Sequence, residues 1–529
     1  MMEKESKRPP CFKISIPGDD SKKKSVLDKL QHVRSIIVKE MNHPFNNAYI
    51  LEKVLDEFIS KHSLDDSETK MENMNLNTYI QVEKKDVDQQ LFVTAETSLQ
   101  KLVSVSENHS SFCTGHFNVK KLTQKGHVVA IRFTCDKDKH HSVLWSSSTY
   151  LPNGEYMVNS RIFHGYECSG MLPVHYNRFS QGANIGHINK SKQSYMFNNY
   201  KQFVDEEYNG NIETALMEEV GMYEDLTSID IMTDARHGWR KNAKDTSDVA
   251  IGDKMHKVLK CEHVTKADDF VSQRHEKLGT QRIYKYLEDN DVKVGIHSHD
   301  RNTSINKFVH DSDVVNQNDS WHGIKAVKSV MKKVSSGPKY LRDKTWSDQL
   351  EDKVESVATH FHWAIRNCEQ NPKELKDLLL NVVEHYKNNH TKCHPDSRCK
   401  RDLNYEPKRI VLTEPVAEKL LFGVIHNSVI FKSPDHFVLA RDTSYVESFN
   451  NTMNMFQDKR IVFSDANYHT RACLAVCHWN ENVDRGFTSI WNPERRNAPR
   501  SMKRKKNYKP PSYTYRNNIW KRQINSIYL

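Results

Sequence analysis

Three acidic residues carry a pattern with chemical meaning. Asp234 ends the β-prone run IDIMTD, Asp300 ends VGIHSHD 66 residues later, and Glu447 lies in SYVESFNNTMNMF a further 147 residues on. Carboxylates are hard oxygen donors. Phosphodiester cleavage and strand transfer commonly use two divalent cations about 4 Å apart, held by converging acids that let one cation activate the attacking oxygen and the other stabilise the leaving one. Such a site needs acids where neighbouring strands end and another on a helix packed against them. An Asp at a strand end is by itself an ordinary turn or cap residue, so the joint arrangement is what points to chemistry. Nearby, Asp319 and His322 form a further candidate pair, His322 to orient a scissile phosphate and Asp319 equally as a helix cap. Arg236 and Arg301, beside the two Asp residues, suit phosphate contact or a carboxylate partner.

Softer donors cluster in two other places. The segment EHYKNNHTKCHPDSRC places His385, His390, Cys393 and Cys399 at H-x4-H-x2-C-x5-C, within fifteen residues, a grouping suited to tetrahedral Zn²⁺; His394 or Cys368 could replace one ligand. Earlier, Cys113 and His116, with Cys135 and His140 following 22 or more residues after the first cysteine, could supply a second set at turns flanking HVVAIRFT; His141 adjoins it. Ten cysteines among 529 residues, mixed with 28 histidines, read as thiols or zinc ligands in a reducing compartment rather than a disulfide framework.

The acids must be positioned by strands and a helix. LTSIDIMTD, DVAIGD and HKVLKCEHV read as three strands, DDFVSQRHEKLGTQRIYKYLEDND as a helix, VKVGIHSHD as a fourth strand, TSINKFV as a short helix, and DVVNQND as a fifth strand before WHGIKAVKSVMKKV. That succession is the one expected of an RNase H-like mixed sheet with helices. On the last helix, Val446, Phe449, Met453 and Phe456 make an apolar stripe, with Glu447 and Asn451 off it and facing a cleft. The distance from Asp300 to Glu447 implies a helical insertion.

The chain therefore divides into a disordered start at 1–25, a helical region and linker at 26–78, and a small β-rich module at 79–219 containing HVVAIRFT, SVLWSSS and EYMVNSRIF. The first part of an α/β core follows at 220–335, then a mainly helical insertion at 336–440, the last part of the core with the catalytic helix at 441–494, and a basic tail at 495–529. Charge supports the last boundary. The net charge of +10 comes from 78 Lys and Arg against 68 Asp and Glu, and residues 495–529 hold eleven of the basic residues and no acid. Lys503, Arg504, Lys505 and Lys506, preceded by Arg495 and Arg496, are spaced like a two-part nuclear import signal, with DNA or an import receptor as partner. No apolar run approaches a membrane span and the first residues lack a signal-peptide core, so an intracellular, nuclear protein with no membrane contact is expected.

At these residues the sequence resembles the transposases of Kolobok-type DNA elements. The blocks that carry the resemblance are DAR at 234–236, HDRNTSINKFV at 299–309, NDSWHGIKAVKSVMKKV at 318–334, ESFNNTMNMFQDKRIVF at 447–463 and YHTRACLAVCHWNEN at 468–482. It implies an RNase H-like catalytic domain, Asp234, Asp300 and Glu447 as a triad binding Mg²⁺ or Mn²⁺, and DNA cleavage and strand transfer at transposon ends by a homo-oligomer. Two departures stand out: residues 1–90 lack the Cys/His pattern of the zinc finger with which such proteins often begin, and Ala235-Arg236-His237 replaces the usual Gly-Arg-Cys. The rival readings are a domesticated, non-catalytic DNA-binding descendant and a zinc-stabilised nuclear interaction protein.

Overall fold

Residues 89–238, 243–336, 345–402, 404–494 and 503–528 are described by a computed structural model of the chain. The expected disordered start, the helical region at 26–78 and the pair Arg495-Arg496 lie outside them. Helix α1 (Glu96–Phe112) lies on an antiparallel meander of β1 (Phe117–Lys125), β2 (Val128–Cys135) and β3 (Ser142–Ser146). The β1–β2 turn needs Gly126, whose φ of 67° is the left-handed conformation that side chains resist.

The module expected at 79–219 is β-rich only in this first part. EYMVNSRIF, expected as a strand, lies mostly in helix α2 (Met157–Cys168), because Val158, Ile162 and Tyr166 recur every four residues and the polar Asn159-Ser160-Arg161 breaks any two-residue alternation. Two more helices follow, α3 (Pro173–Gly182), with Pro173 in its first turn, and the long α4 (Lys190–Val220), capped by Asn189, whose side chain accepts from the Lys192 amide at 2.9 Å.

The central sheet contains β4 (Ser228–His237), β5 (Asp245–Gly252), β6 (Val258–Thr265), β7 (Lys293–His299) and β8 (Val315–Asn318), in the order β6-β5-β4-β7-β8. The first three are antiparallel neighbours, and β7 and β8 run parallel to β4. This strand order, with helix α5 (His275–Asp289) between β6 and β7 and helix α6 (Thr303–Asp311) between β7 and β8, is the RNase H-like arrangement expected from the sequence. Alternation divides the side chains between two cores. Ile229, Ile231, Ala250 and Leu259 face α5, whereas Met232, Val249, Ile251 and Val258 face α4 and the C-terminal helices. At Gly279 a Cβ would stand 2.5 Å from that of Asp248, so only glycine lets α5 approach β5 this closely.

After α7 (Ser320–Ser336), the insertion contributes α8 (Thr345–Glu351), α9 (Val354–Arg366), α10 (Pro372–Tyr386) and α11 (Pro415–His426) around its own core, in which Leu350, Val357, Phe361, Leu375, Leu379, Leu421 and Ile425 are buried. The chain returns to its point of departure. The Ser320 amide donates to the Arg441 carbonyl at 3.1 Å, and the Thr443 amide and hydroxyl donate to Asp319 Oδ2 at 3.0 and 2.7 Å.

Helix α12 (Ser444–Phe456) then buries Val446, Phe449, Met453 and Phe456 against α13 (Asp465–Asn482), each side chain contributing about 1.5–3 kcal/mol. The C-terminal segment is not a free tail. A hairpin of β9 (Phe487–Trp491) and β10 (Lys505–Tyr508) precedes α14 (Thr514–Tyr528), whose Tyr515 and Ile519 enter the core beside α4 and whose Arg522 pairs with Glu207 at 3.2 Å. The apolar residues Tyr515 and Ile519 and the acids of α4 hold this basic segment down. No helix among the described residues is long and apolar enough to cross a membrane.

Candidate functional site

Asp234 and Asp300 meet at the end of the sheet. Thr233 pairs with His299 in the parallel β4–β7 register, so the next residue of each chain is one of the two acids. β4 itself continues to His237, past the expected strand end at Asp234, while β7 stops at His299. Asp234 shares a face with Met232, the face covered by α12, and the first turn of α12 presents Glu447.

Between the acids stands His322, in the first turn of α7. Its Nδ1 is 3.3 Å from Asp300 Oδ1 and 3.4 Å from Asp319 Oδ2, and its Nε2 is 3.5 Å from Glu447 Oε1. Asp319 is 4% exposed and holds structure together: it accepts from the His322 amide at 2.8 Å as well as from Thr443, tying the start of α7 to the start of α12. Burial alone would lift its carboxyl, but these donors hold it below its ordinary value. Asn450, rather than the expected Asn451, reaches the cluster, donating to Asp234 Oδ2 at 2.9 Å; it lies three residues beyond Glu447, on the same helical face.

The carboxylates crowd one another. Burial, and then the charges of Asp300, Glu276 and Glu447, push Asp234 up to about 7, and burial also raises Asp300 against the pull of His322. Two acids not singled out in the sequence contribute. Glu276 on α5, raised by burial, accepts from Asn302 at 2.7 Å. Asp248 on β5, wholly buried and raised well above its usual range by burial and then Glu276, accepts from Thr280 at 3.0 Å. Neither carries a local sequence signal, since both join the cluster through sheet pairing and the α5 docking. The donor set fits a divalent cation: its oxygens are hard, its excess negative charge needs compensation, and Asp300 Oδ1 is buried with no hydrogen-bond partner.

The basic residues are placed less uniformly. Arg236, expected at the DNA, is 4% exposed and donates to Gln457 Oε1, the Gln457 carbonyl and Asn454 Oδ1, so it braces the end of α12 instead of meeting a phosphate. Arg301 is exposed beside Asp300. Lys503, Arg504, Lys505 and Lys506 are exposed on and before β10, with Lys506 Nζ 4.9 Å from the Phe487 ring centre.

Both Cys/His groups assemble, one as expected and one with different histidines. His385, His390, Cys393 and Cys399 converge, with Cys393 Sγ 3.5 Å from His385 Nδ1 and 3.7 Å from His390 Nδ1, and Cys399 Sγ 3.7 Å from His385 Nδ1. Burial lowers His385 to about 4, which keeps its imidazole neutral and able to ligate. His394 and Cys368 stay outside the group. In the N-terminal module Cys113 and Cys135 are joined by His109 and His141, not by His116 and His140. Helical spacing puts His109 one turn before Cys113, and His140 lies exposed in the β2–β3 turn whereas His141, just before β3, reaches the group.

The strand order and the carboxylate cluster together define an RNase H-like α/β protein with a metal-ready acidic site. No family model and no curated protein matches the chain. Among solved structures, a chain described as the Drosophila P element transposase strand transfer complex superposes with a TM-score of 0.29 and 9% identity, over 62% of this chain and 93% of that chain. The fold assignment rests on the strand order itself.

Proposed function

We propose that the chain is a transposase-like polynucleotidyl transferase of the Kolobok type, acting on DNA in the nucleus. The observation that supports the reading is the convergence of Asp234, Asp300 and Glu447 from β4, the end of β7 and α12, with His322 reaching Asp300 and Glu447 and Asn450 of α12 holding Asp234. These three carboxylates would hold Mg²⁺ or Mn²⁺, which when bound supplies an activated water or DNA 3′-hydroxyl and stabilises the leaving oxygen. The residues' own work is positional. Asn450 fixes one oxygen of Asp234, Asp319 locks α7 to α12 so that Glu447 is presented toward Asp300, and His322 lies within reach of both acids as a proton carrier. Exposed Arg301 offers a phosphate contact at the rim, and exposed Lys503 to Lys506 offer a surface for DNA or an import receptor. Zn²⁺ held by His385, His390, Cys393 and Cys399 would close the loop after α10 without an open ligand position, a structural role.

The test is Mg²⁺- or Mn²⁺-dependent nicking and strand transfer on duplex DNA carrying the source element's ends, comparing wild type with Asp300→Asn. Activity lost in a variant that still folds and binds DNA supports the carboxylate mechanism. Salt-sensitive DNA binding with no cleavage by wild type supports the domesticated binder instead.

A further inference from the structure

The β1–β3 module has very little with which to hold itself together. Among the described residues, the buried apolar side chains between α1 and the sheet are Val129, Ile131 and Trp145, with Leu102 and Phe133 partly buried beside them, while Val128 packs separately with Val158 of α2. A core this small ordinarily needs a cross-link or a metal. At its edge the end of α1 and the β2–β3 turn bring four donors together, all within 4.8 Å of one another: His109, Cys113, Cys135 and His141. We infer that these four residues form a tetrahedral Zn²⁺ site that clamps the end of α1 to the sheet.

The geometry is that of ligands sharing one ion. Zn–S bonds of about 2.3 Å and Zn–N bonds of about 2.0 Å put tetrahedral S–S neighbours about 3.8 Å apart. Cys113 Sγ and Cys135 Sγ are 3.8 Å apart and not bonded to each other. The histidines are oriented for the same point. His109 is 4% exposed and its buried Nε2 has no hydrogen-bond partner; the buried Nδ1 of His141 likewise has none. Two unpaired buried imidazole nitrogens beside two thiols would be a costly arrangement without a shared ligand.

Surrounding groups match the needs of such a site. His141 Nε2, the nitrogen left over, is 3.5 Å from Asp138 Oδ2, a carboxylate that would fix the ring's orientation. The Gly115 amide donates to Cys113 Sγ at 3.4 Å, and a Cβ on Gly115 would fall 2.4 Å from Cys135 Sγ, so the glycine leaves room for the second sulfur. Phe112 and Phe117 pack edge-on or tilted against the histidine rings and shield them. Two thiolates and two imidazoles make a complete four-donor set that suits Zn²⁺ in a structural role.

The experiment uses the full chain expressed in zinc-supplemented medium. Zinc content per chain is measured for wild type, for Cys113→Ser with Cys135→Ser, and for His116→Ala with His140→Ala. The expected result is one zinc lost in the cysteine pair and none in the histidine pair; unchanged zinc in the cysteine pair overturns the site. Because the cysteine pair could misfold, wild type is also alkylated in native buffer with and without a high-affinity zinc chelator, and Cys113 and Cys135 are followed by mass spectrometry. Thiolates engaged with the metal should react at least ~10-fold more slowly before chelation than after it. Equal rates, or recovery of a Cys113–Cys135 disulfide from the freshly isolated protein under thiol-quenching conditions, would overturn the proposal.

Discussion

The sheet end and the two Cys/His groups are both ready for metal, yet they are built on opposite principles. At the sheet end the donors are oxygens from separate elements, the side chains of Asp300 and Glu447 are 41% and 50% exposed, and burial, followed by the charges of the neighbouring acids, lifts Asp234 to about 7. Around His385 and around His109 the donors are soft and close together, and in the module they are shielded by aromatic rings. An open, electrostatically strained group suits an ion that must share its coordination shell with substrate, whereas a closed, saturated one suits an ion that holds loops in place. On the proposed reading, chemistry and architecture fall to different donor atoms in one chain.

The contrast can be broken most sharply by exchanging its two halves. Asp300→Asn should lower DNA cleavage by on the order of 10³-fold while the melting temperature stays level or rises, since one repelling charge is gone. A variant that loses its fold along with its rate would place Asp300 in the architecture instead. Cys393→Ser should behave in reverse, destabilising the insertion by roughly 2–4 kcal/mol in denaturant titrations while lowering the rate less than tenfold, because α8 to α11 retain their own core.

Asp319 lies between the two classes, and Asp319→Ala should cost about 3 kcal/mol by stranding the buried Thr443 amide and hydroxyl. Thr443→Val, which removes one of those donors, should cost less, and equal losses would deny Asp319 its bracing role. The smallest expected effect is a pH signature. Folded Asp234 keeps its proton up to about pH 7, whereas an unfolded chain releases it near pH 4, so acid favours the fold in that window and stability falls as pH rises through it. The melting temperature of Asp234→Asn minus that of wild type should therefore widen between pH 5 and 8, and added Mg²⁺ should narrow it at pH 8. A gap independent of pH would remove the strain from the comparison.

Much of this arrangement was legible in the residues because it follows short periods. The strands β4 to β8 and the stripe Val446, Phe449, Met453 and Phe456 are local patterns, and His385 to Cys399 lie within one loop and its flanks. What sequence spacing misplaced depends on direction at an element's end. Asn450 was missed for Asn451 because positions three and four residues along a helix share a face, His109 was missed for His116 because it sits back along α1, and spacing alone did not choose between the adjacent His140 and His141 at the hairpin turn. Glu276, Asp248 and the buried Arg236 were illegible for another reason: their surroundings come from residues up to 221 positions away.

The clasp between Asp319 and Thr443 has a consequence for descent. Because the chain leaves and re-enters the core at hydrogen-bond distance, the segment between is attached like a cassette. The entropy of closing such an excursion rises by only about 0.6 kcal/mol for each doubling of its length. Related chains could therefore lengthen, shorten or exchange everything between α7 and α12 while keeping the same two anchor points, and the acidic end of the sheet would be inherited unchanged beneath whatever cassette it carries.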